Sequence, residues 1–466
     1  MRWRFTKKIT LPEVTDLLKL AGPLIISNLA YTLLGSFDTI FMGRVGALEL
    51  GAVGVGSTLF LATSVIFRST AGATMISVSQ AYGADDKHKI RSSFQQFICF
   101  ALCLAPIAFF LPWLFNSYFK LTKPNETVKM LALTYMTIRI LELPFSLLSK
   151  TISSFMLGIG NSKTPMVISW ITVIVNVFFN YVLVFGKLGF PKLGIAGAAW
   201  GTILAQMIEF VIYAIIVIKK YNKEYQLTKH WKLPRPCQLL KMLKLGLPMG
   251  LADSIDIFTF GILMTIISRL GTVELAASQI ANQLNDLAFM PSFAIGTATG
   301  SLVGRSLGEH DPNKAERYGY IGLYVGIGIM SIIGIFYWLF PSVFILPFSP
   351  NKEVYALSKT LLKLIAFYQL LDVTYNALRG ALNGAGLTRF TGFTTVLCVV
   401  GVFIPVSYLT QDIFNFGLWG AWSGPIIYVC FLVAILYNKF KDGLWKEPWQ
   451  KKAIKTVTNK LGVELN

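Results

Sequence analysis

Charge is scarce in this 466-residue chain: Asp, Glu, Lys and Arg make up 14% of it, against 54% apolar residues and a mean hydropathy of +0.60. So little charge cannot cover a soluble globular surface, which leaves a membrane class. Histidine is scarcer still, with His88, His230 and His310 in three separate expected loops. The five cysteines are Cys99, Cys103, Cys237, Cys398 and Cys430, an odd number placed mostly inside apolar runs, which argues for packing rather than a disulfide framework. HExxH, a CxxC pair, GxSxG and GxxxxGK[ST] are all missing. Nothing points to metal hydrolysis, nucleophilic catalysis or ATP hydrolysis, so the chain is read as no enzyme and as needing no cofactor beyond a coupling ion.

What is abundant is long apolar sequence. About twelve stretches are long enough to cross roughly 30 Å of hydrocarbon as helices. They fall near 16–42, 47–70, 92–118, 126–157, 163–186, 193–218, 238–267, 273–303, 315–341, 353–383, 387–410 and 415–438. The basic start MRWRFTKK precedes an apolar run too long for a cleaved signal, which reads as a retained first span. Basic residues crowd alternate loops: Arg2, Arg4, Lys7 and Lys8 at the start, Lys219, Lys220, Lys223, Lys229, Lys232 and Arg235 in the centre, and Lys439 to Lys460 in the tail. The positive-inside rule then puts both termini and the central loop in the cytoplasm. The net charge of +19 is accounted for by loops facing anionic lipid, without nucleic acid. In the tail, Trp449, Ile454, Val457 and Leu461 recur at helical spacing among lysines, as expected of a segment lying on the membrane surface.

The chain also repeats itself. LKLAGP, ending at Pro23, matches LKLGLP, ending at Pro248, and the same shift of 225 residues relates GRVGALEL at 43–50 to SRLGTVEL at 268–275 and Gly83 and Asp86 to Gly308 and Asp311. Each copy holds about six helices. An even number of spans returns the chain to its starting side, so the copies are parallel, related by an axis along the membrane normal. The expected architecture is an all-α integral membrane protein of two six-helix repeats: a cytoplasmic N-terminus (1–15), an N-terminal lobe (16–218), a basic linker (219–237), a C-terminal lobe (238–438) and a basic tail (439–466). Parallel repeats of this kind suit a transporter whose cavity opens to either side in turn, although a duplicated bundle without transport is the plainer alternative.

Ionisable residues inside such spans are costly, on the order of 2.5 to 3.5 kcal/mol at the bilayer centre, and mark ion or substrate paths. MGLADSIDIFTFGIL, at 249–263, carries two, Asp253 and Asp256, within one turn. Two such negative charges repel, so the pair can trade a proton or hold a cation; the alternative is that each bonds a neighbour across a helix interface. Pro248, just before them, is expected to kink the helix. Asp372 in YQLLDVTYNALRG lies mid-span beside Tyr368, Gln369 and Tyr375. Asp38 lies roughly 6 to 9 Å from the outer end of its span, where snorkelling is an alternative. Gln279, Gln283 and Asp286 share a stripe of the eighth span, and Asn176 and Asn180 lie one turn apart on the fifth; amides at that spacing serve as ligands or as interhelical glue. Glu142 and Glu209, near a span end or isolated, read as structural.

The ordered segments LKLAGPLIISN, SFDTIFMGRVGALELGAVGVG, MLGIGNSKTP, VFFNYVLVFGKLGFPKLGIAGAAWGT, AASQIANQLNDLAFMPSFAIGTATGSLVGRSLGEHD and ALRGALNGAGLTR resemble the multidrug and toxic compound extrusion (MATE) transporters, over all but the last thirty or so residues. The resemblance implies a twelve-helix exporter, closest to the NorM-type branch, exchanging protons or sodium ions for organic, often cationic, compounds. It places Asp38 on the family's first-helix acid, Asp256 on the seventh-helix acid and Asp372 on the tenth-helix aspartate. The NorM-type branch usually has glutamate where this chain has Asp256, and Asp253 is an addition. On the fifth helix, related members carry Asn then Asp, where this chain has Asn176 then Asn180. Thr202 matches the threonine that joins them. With Asp38 these residues form an oxygen set suited to sodium; Asp256 and Asp372 form the other candidate ion site. Gln279, Gln283, Asp286, Tyr368 and Tyr375 are the expected substrate contacts.

The expectation is therefore an ion-coupled antiporter, H+ or Na+, working by alternating access as a monomer in the inner (plasma) membrane, with small organic cations and membrane lipids as partners. A flippase for a lipid-linked or polysaccharide precursor is the alternative. It would need a cationic cavity to grip phosphate, whereas the mid-span ionisable residues are mainly acidic.

Overall fold

The computed structural model describes residues 10–122, 125–229, 231, 233–348, 351–414 and 416–450. It is 89% helix, with no strand among the described residues. Twelve helical spans are long and apolar enough to cross a membrane. They are α1 (Leu11–Val45), α2 (Ala47–Gly83, with a turn at Ala73), α3 (Lys87–Lys120), α4 (Glu126–Gly158), α5 (Lys163–Phe185), α6 (Gly194–Tyr225), α7 (Pro236–Ile267), α8 (Thr272–Gly308), α9 (Pro312–Leu339), α10 (Lys352–Gly384), α11 (Thr388–Gln411) and α12 (Gly417–Lys441). This is the expected number in the expected places. The protein is a multi-pass membrane protein, and large exposed side chains such as Phe110, Trp113, Ile174 and Leu397 supply the lipid-facing surface. Pro248 sits inside α7, which continues as helix on both sides of it. All five cysteines are free. The basic residues at 2–8, His230, Lys232 and the tail positions Ile454, Val457 and Leu461 lie outside the described residues.

The duplication reaches down to the backbone. Asp86 accepts a hydrogen bond from the Lys89 amide at 2.8 Å and starts α3; Asp311, 225 residues later, accepts from the Lys314 amide at 2.9 Å and starts α9. An aspartate there satisfies a helix amide that has no carbonyl partner in the helix. The residues before the two caps, Asp85 and His310, both take positive φ, 50° and 60°. Asn125 caps α4 and Asn351 caps α10 in the same manner.

The helices gather into two compact units. One comprises Ile26–Val78 and Asp86–Ser254; the other comprises the stretch ending at Ile25, Ser79–Asp85 and the chain from Ile255 onward. The chain passes between them inside α1, in the last part of α2 and inside α7. In the second unit, α8 and α10 pack closely because small residues recur every fourth position on both. A Cβ on Gly380 would overlap the Gly296 carbonyl oxygen, and one on Gly384 would overlap that of Gly300. In the first unit Gly201 of α6 does the same against α5, where a Cβ would overlap the Asn180 amide oxygen. Those close approaches bring the polar side chains of neighbouring helices within reach of each other.

Candidate functional site

Each unit holds its own buried polar cluster. In the unit containing most of the first repeat, Asp38 of α1 is 6% exposed, Asn176 and Asn180 of α5 are fully buried, and Thr202 of α6 is 2% exposed. The Asn180 amide nitrogen donates to Asp38 and, at 3.1 Å, to the Asn176 oxygen. The Asn176 amide in turn donates to the Thr202 hydroxyl at 3.3 Å, and that hydroxyl donates to the Ala198 carbonyl at 3.0 Å. The four expected residues are thus one connected network. Its one buried acceptor without a partner is the Asn180 Oδ1. An orphan oxygen of this kind costs stability unless something occupies it. A carboxylate, two amide oxygens and a hydroxyl are the donor set of a hard monovalent or divalent cation, so the residues present fit a transported sodium ion.

Beside this network lies a buried ion pair that the sequence reading did not single out. Arg139 and Glu142, both on α4, form a two-pronged bridge, with Nε to Oε2 and Nη2 to Oε1 each at 2.9 Å. Arg139 also donates to the Tyr135 hydroxyl at 3.1 Å and lies 4.5 Å from the Phe60 ring centre. The spacing R-x-x-E inside an apolar span was the available signal.

In the other unit, Asp256 of α7 takes its partners from two other helices. The Tyr428 hydroxyl of α12 donates to Oδ1 at 2.9 Å, the Tyr375 hydroxyl of α10 lies 3.4 Å from Oδ2, and Arg379 Nη1 of α10 lies 3.6 Å from Oδ2. The Asp256 side chain stays 28% exposed while Arg379 is 8% exposed, so the carboxylate is open on one side. Tyr375 shares its hydroxyl with Thr395 at 3.2 Å, and Arg379 stacks 5.7 Å from the Tyr375 ring centre. Asp372, three and seven positions before Tyr375 and Arg379 on the same helix, is 5% exposed and accepts from Ser292 of α8 at 2.7 Å and from Asn376 at 3.1 Å. Its electrostatic neighbours include Asp256 and Arg379.

Of the expected substrate contacts, Tyr368 is buried and neighbours both carboxylates, with Asp286 also in range. Gln279, Gln283 and Asp286 are exposed on α8. Gln369 is fully buried and donates to Asn285 at 2.8 Å. Asp253 is partly exposed, belongs to the unit ending at Ser254, and has Lys150 of α4 as an electrostatic neighbour. Basic side chains accompany the more numerous mid-span acidic ones: Arg68, Arg139, Lys150 and Arg379 all lie within the helical spans.

Twelve spans, a duplicated six-helix unit and one buried polar cluster per unit define a membrane transporter architecture. The MatE family model matches residues 23–182 and again 248–409, and the chain belongs to that family. The two matches begin at Pro23 and Pro248, the start of each repeat. The chain is 28% identical over 459 residues to a probable multidrug resistance protein NorM of Thermotoga maritima, covering 97% of each. It is 30% identical over 376 residues to the multidrug resistance protein NorM of Vibrio cholerae, covering 80% of this chain and 82% of that one. Its fold matches the crystal structure of the eukaryotic MATE transporter AtDTX14 with a TM-score of 0.84 at 19% identity, over 96% of this chain and 99% of the other. The relatives are named as resistance proteins and transporters, and the chain is no enzyme.

Proposed function

We propose that this protein is a multidrug exporter of the plasma membrane, the inner one where a cell has two, which moves small organic cations outward in exchange for protons or sodium ions. The single observation that carries the reading is the half-open Asp256 carboxylate, ringed by the Tyr375 and Tyr428 hydroxyls inside an apolar span. A charge placed there at a cost of a few kcal/mol has to be held by a positive partner, and that partner can be exchanged. An organic ammonium can take that place, with the tyrosine faces adding cation–π attraction.

Arg379 is the internal competitor. At 3.6 Å it balances Asp256 when no cargo is present, so an arriving organic cation displaces one positive charge by another rather than meeting an unpaired anion. A proton or sodium ion taken up at Asp256 or Asp372 removes the attraction for the cargo, and a ligand shifts a two-state equilibrium only by its differential affinity for the states. One charge falling through 100 mV yields about 2.3 kcal/mol, enough for roughly fiftyfold accumulation. The oxygen network at Asp38 supports sodium as one coupling ion. The flippase alternative is less well supported, because Arg139 and Arg379 are turned onto carboxylates rather than presented to a phosphate.

Purified protein in vesicles, loaded with a fluorescent organic cation and given sodium or proton gradients separately, tests the reading. Efflux driven by one of them without ATP supports it. No movement under either gradient overturns it in favour of the flippase.

A further inference from the structure

A second buried acid of the first unit stands outside the Asp38 network. Glu209 of α6 is 3% exposed. Its Oε1 accepts from the Tyr31 hydroxyl of α1 at 2.7 Å, and its buried Oε2 has no hydrogen-bond partner. The charged and titratable groups facing it come from each helix around it: Tyr31 on α1, Arg68 on α2, Lys150 on α4 and Tyr213 on its own helix, with Gln206 beside it. Arg68 lies over the Tyr31 ring at 6.0 Å, and Asp253 of α7 neighbours Lys150.

The duplication gives this pair a counterpart. Tyr31 and Asp256 occupy the same position on the first helix of each repeat, 225 residues apart. In the second repeat the first helix is tied to the sixth by Asp256 accepting from Tyr428; in the first repeat it is tied by Tyr31 donating to Glu209. Both ties join a tyrosine to a carboxylate at the same place on the first helix, with the residue types exchanged; on the sixth helix Glu209 stands one turn beyond Ala205, the position that GAAWGT (197–202) and GAWSGP (420–425) align with Tyr428.

We propose that Glu209 is a further proton-carrying site of the transport cycle, binding a proton at Oε2 while Tyr31 holds Oε1. The inference rests on the coupled-antiport reading. An ionised carboxylate in hydrocarbon needs donors on both oxygens, and a proton on Oε2 removes that need with one O–H bond. That bond breaks when the proton leaves to water on the other side, with no change of oxidation state. A metal ion is served poorly here. Beside the carboxylate stand the Tyr31 hydroxyl and the Gln206 amide, and the nearby Arg68 and Lys150 repel a second cation, whereas the oxygen set at Asp38 has no such pair of cations among its hydrogen-bonding partners.

The test reconstitutes the full chain in vesicles, drives ethidium efflux with a proton gradient, and counts protons moved per ethidium with a trapped pH dye. Infrared spectra of the same samples report protonated carboxyl groups. Glu209→Gln is expected to move about one proton fewer per ethidium and to lose one carboxylic acid band; Glu209→Asp is expected to restore the count and shift the band. A wild-type proton ratio and an unchanged band in Glu209→Gln overturn the proposal. If Glu209→Gln does not fold, the band in Glu209→Asp decides: a shift supports the proposal and an identical spectrum overturns it. If the wild type moves no ethidium under any gradient, the antiport reading fails, and the infrared comparison alone still decides whether Glu209 carries a proton.

Discussion

The two polar clusters are built on copies of one six-helix unit, yet their chemistry differs. Around Asp38 the partners are amides and a hydroxyl, all but sealed, with one oxygen left over. Around Asp256 the partners are two tyrosines and an arginine, and the carboxylate remains open. Small, hard oxygen donors in a closed space select a bare ion. Aromatic faces and a displaceable guanidinium tolerate a large, soft cation of variable shape. The lesson is that duplication preserved the scaffold and let the chemistry of the two copies diverge; under the proposed function, the Asp38 copy suits a bare ion and the Asp256 copy is the one where cargo and ion compete.

The largest expected effect comes from removing the open charge. Asp256→Asn takes away a carboxylate that Tyr428 and Arg379 address directly, and a hydrogen bond to a charged group contributes about 1.5 to 3 kcal/mol. Ethidium binding by titration calorimetry should weaken roughly tenfold to a hundredfold, while Asp38→Asn leaves it within a few fold. If Asp38→Asn weakens binding as much and Asp256→Asn does not, the assignment of cargo and ion to the two units is reversed.

A smaller effect sharpens the other half of the comparison. Sodium at a hundred times its dissociation constant should stabilise the detergent-purified protein by about 2.7 kcal/mol, read as a rise in Tm. Asp38→Asn and Asn180→Leu should abolish that rise, the latter by replacing the orphan oxygen, and Asp372→Asn should keep it. Loss of the rise in Asp372→Asn alone would move the sodium site to the other unit.

What the sequence revealed follows from how each feature is encoded. The spans are written in hydropathy over about twenty residues, and the repeat in matched turns such as QAYGADD and RSLGEHD, so both were legible. Asp38, Asp256 and Asp372 stood out because charge in an apolar run is rare. Their partners did not, because a tyrosine or serine in a span is common, and only tertiary packing tells that Tyr428 reaches back 172 residues to Asp256. Glu209 looked isolated for the same reason, since Tyr31 lies 178 residues away in the chain. Arg379 was closer to legible: it stands four residues after Tyr375 and seven after Asp372, which places all three on one face of α10.

The smallest expected effect tests the claim that the scaffold is shared. Asp86 and Asp311 make the same capping bond at the same point of each repeat, 2.8 and 2.9 Å long, each following a residue of positive φ. Truncating either to alanine removes one helix-end acceptor, a loss of about 1 kcal/mol. Asp86→Ala and Asp311→Ala should therefore lower Tm by similar amounts; the segments before the two caps pack on each other, Gly83 on Arg305 and Gly308 on Gln80, so the departure of the double variant from their sum measures the coupling between them. Neither should alter the ethidium or sodium response, since neither aspartate belongs to a polar cluster. A cap that lowered Tm and also changed ion coupling would mean that the helix start moves in the transport cycle, and scaffold and chemistry would then no longer be separable in that repeat.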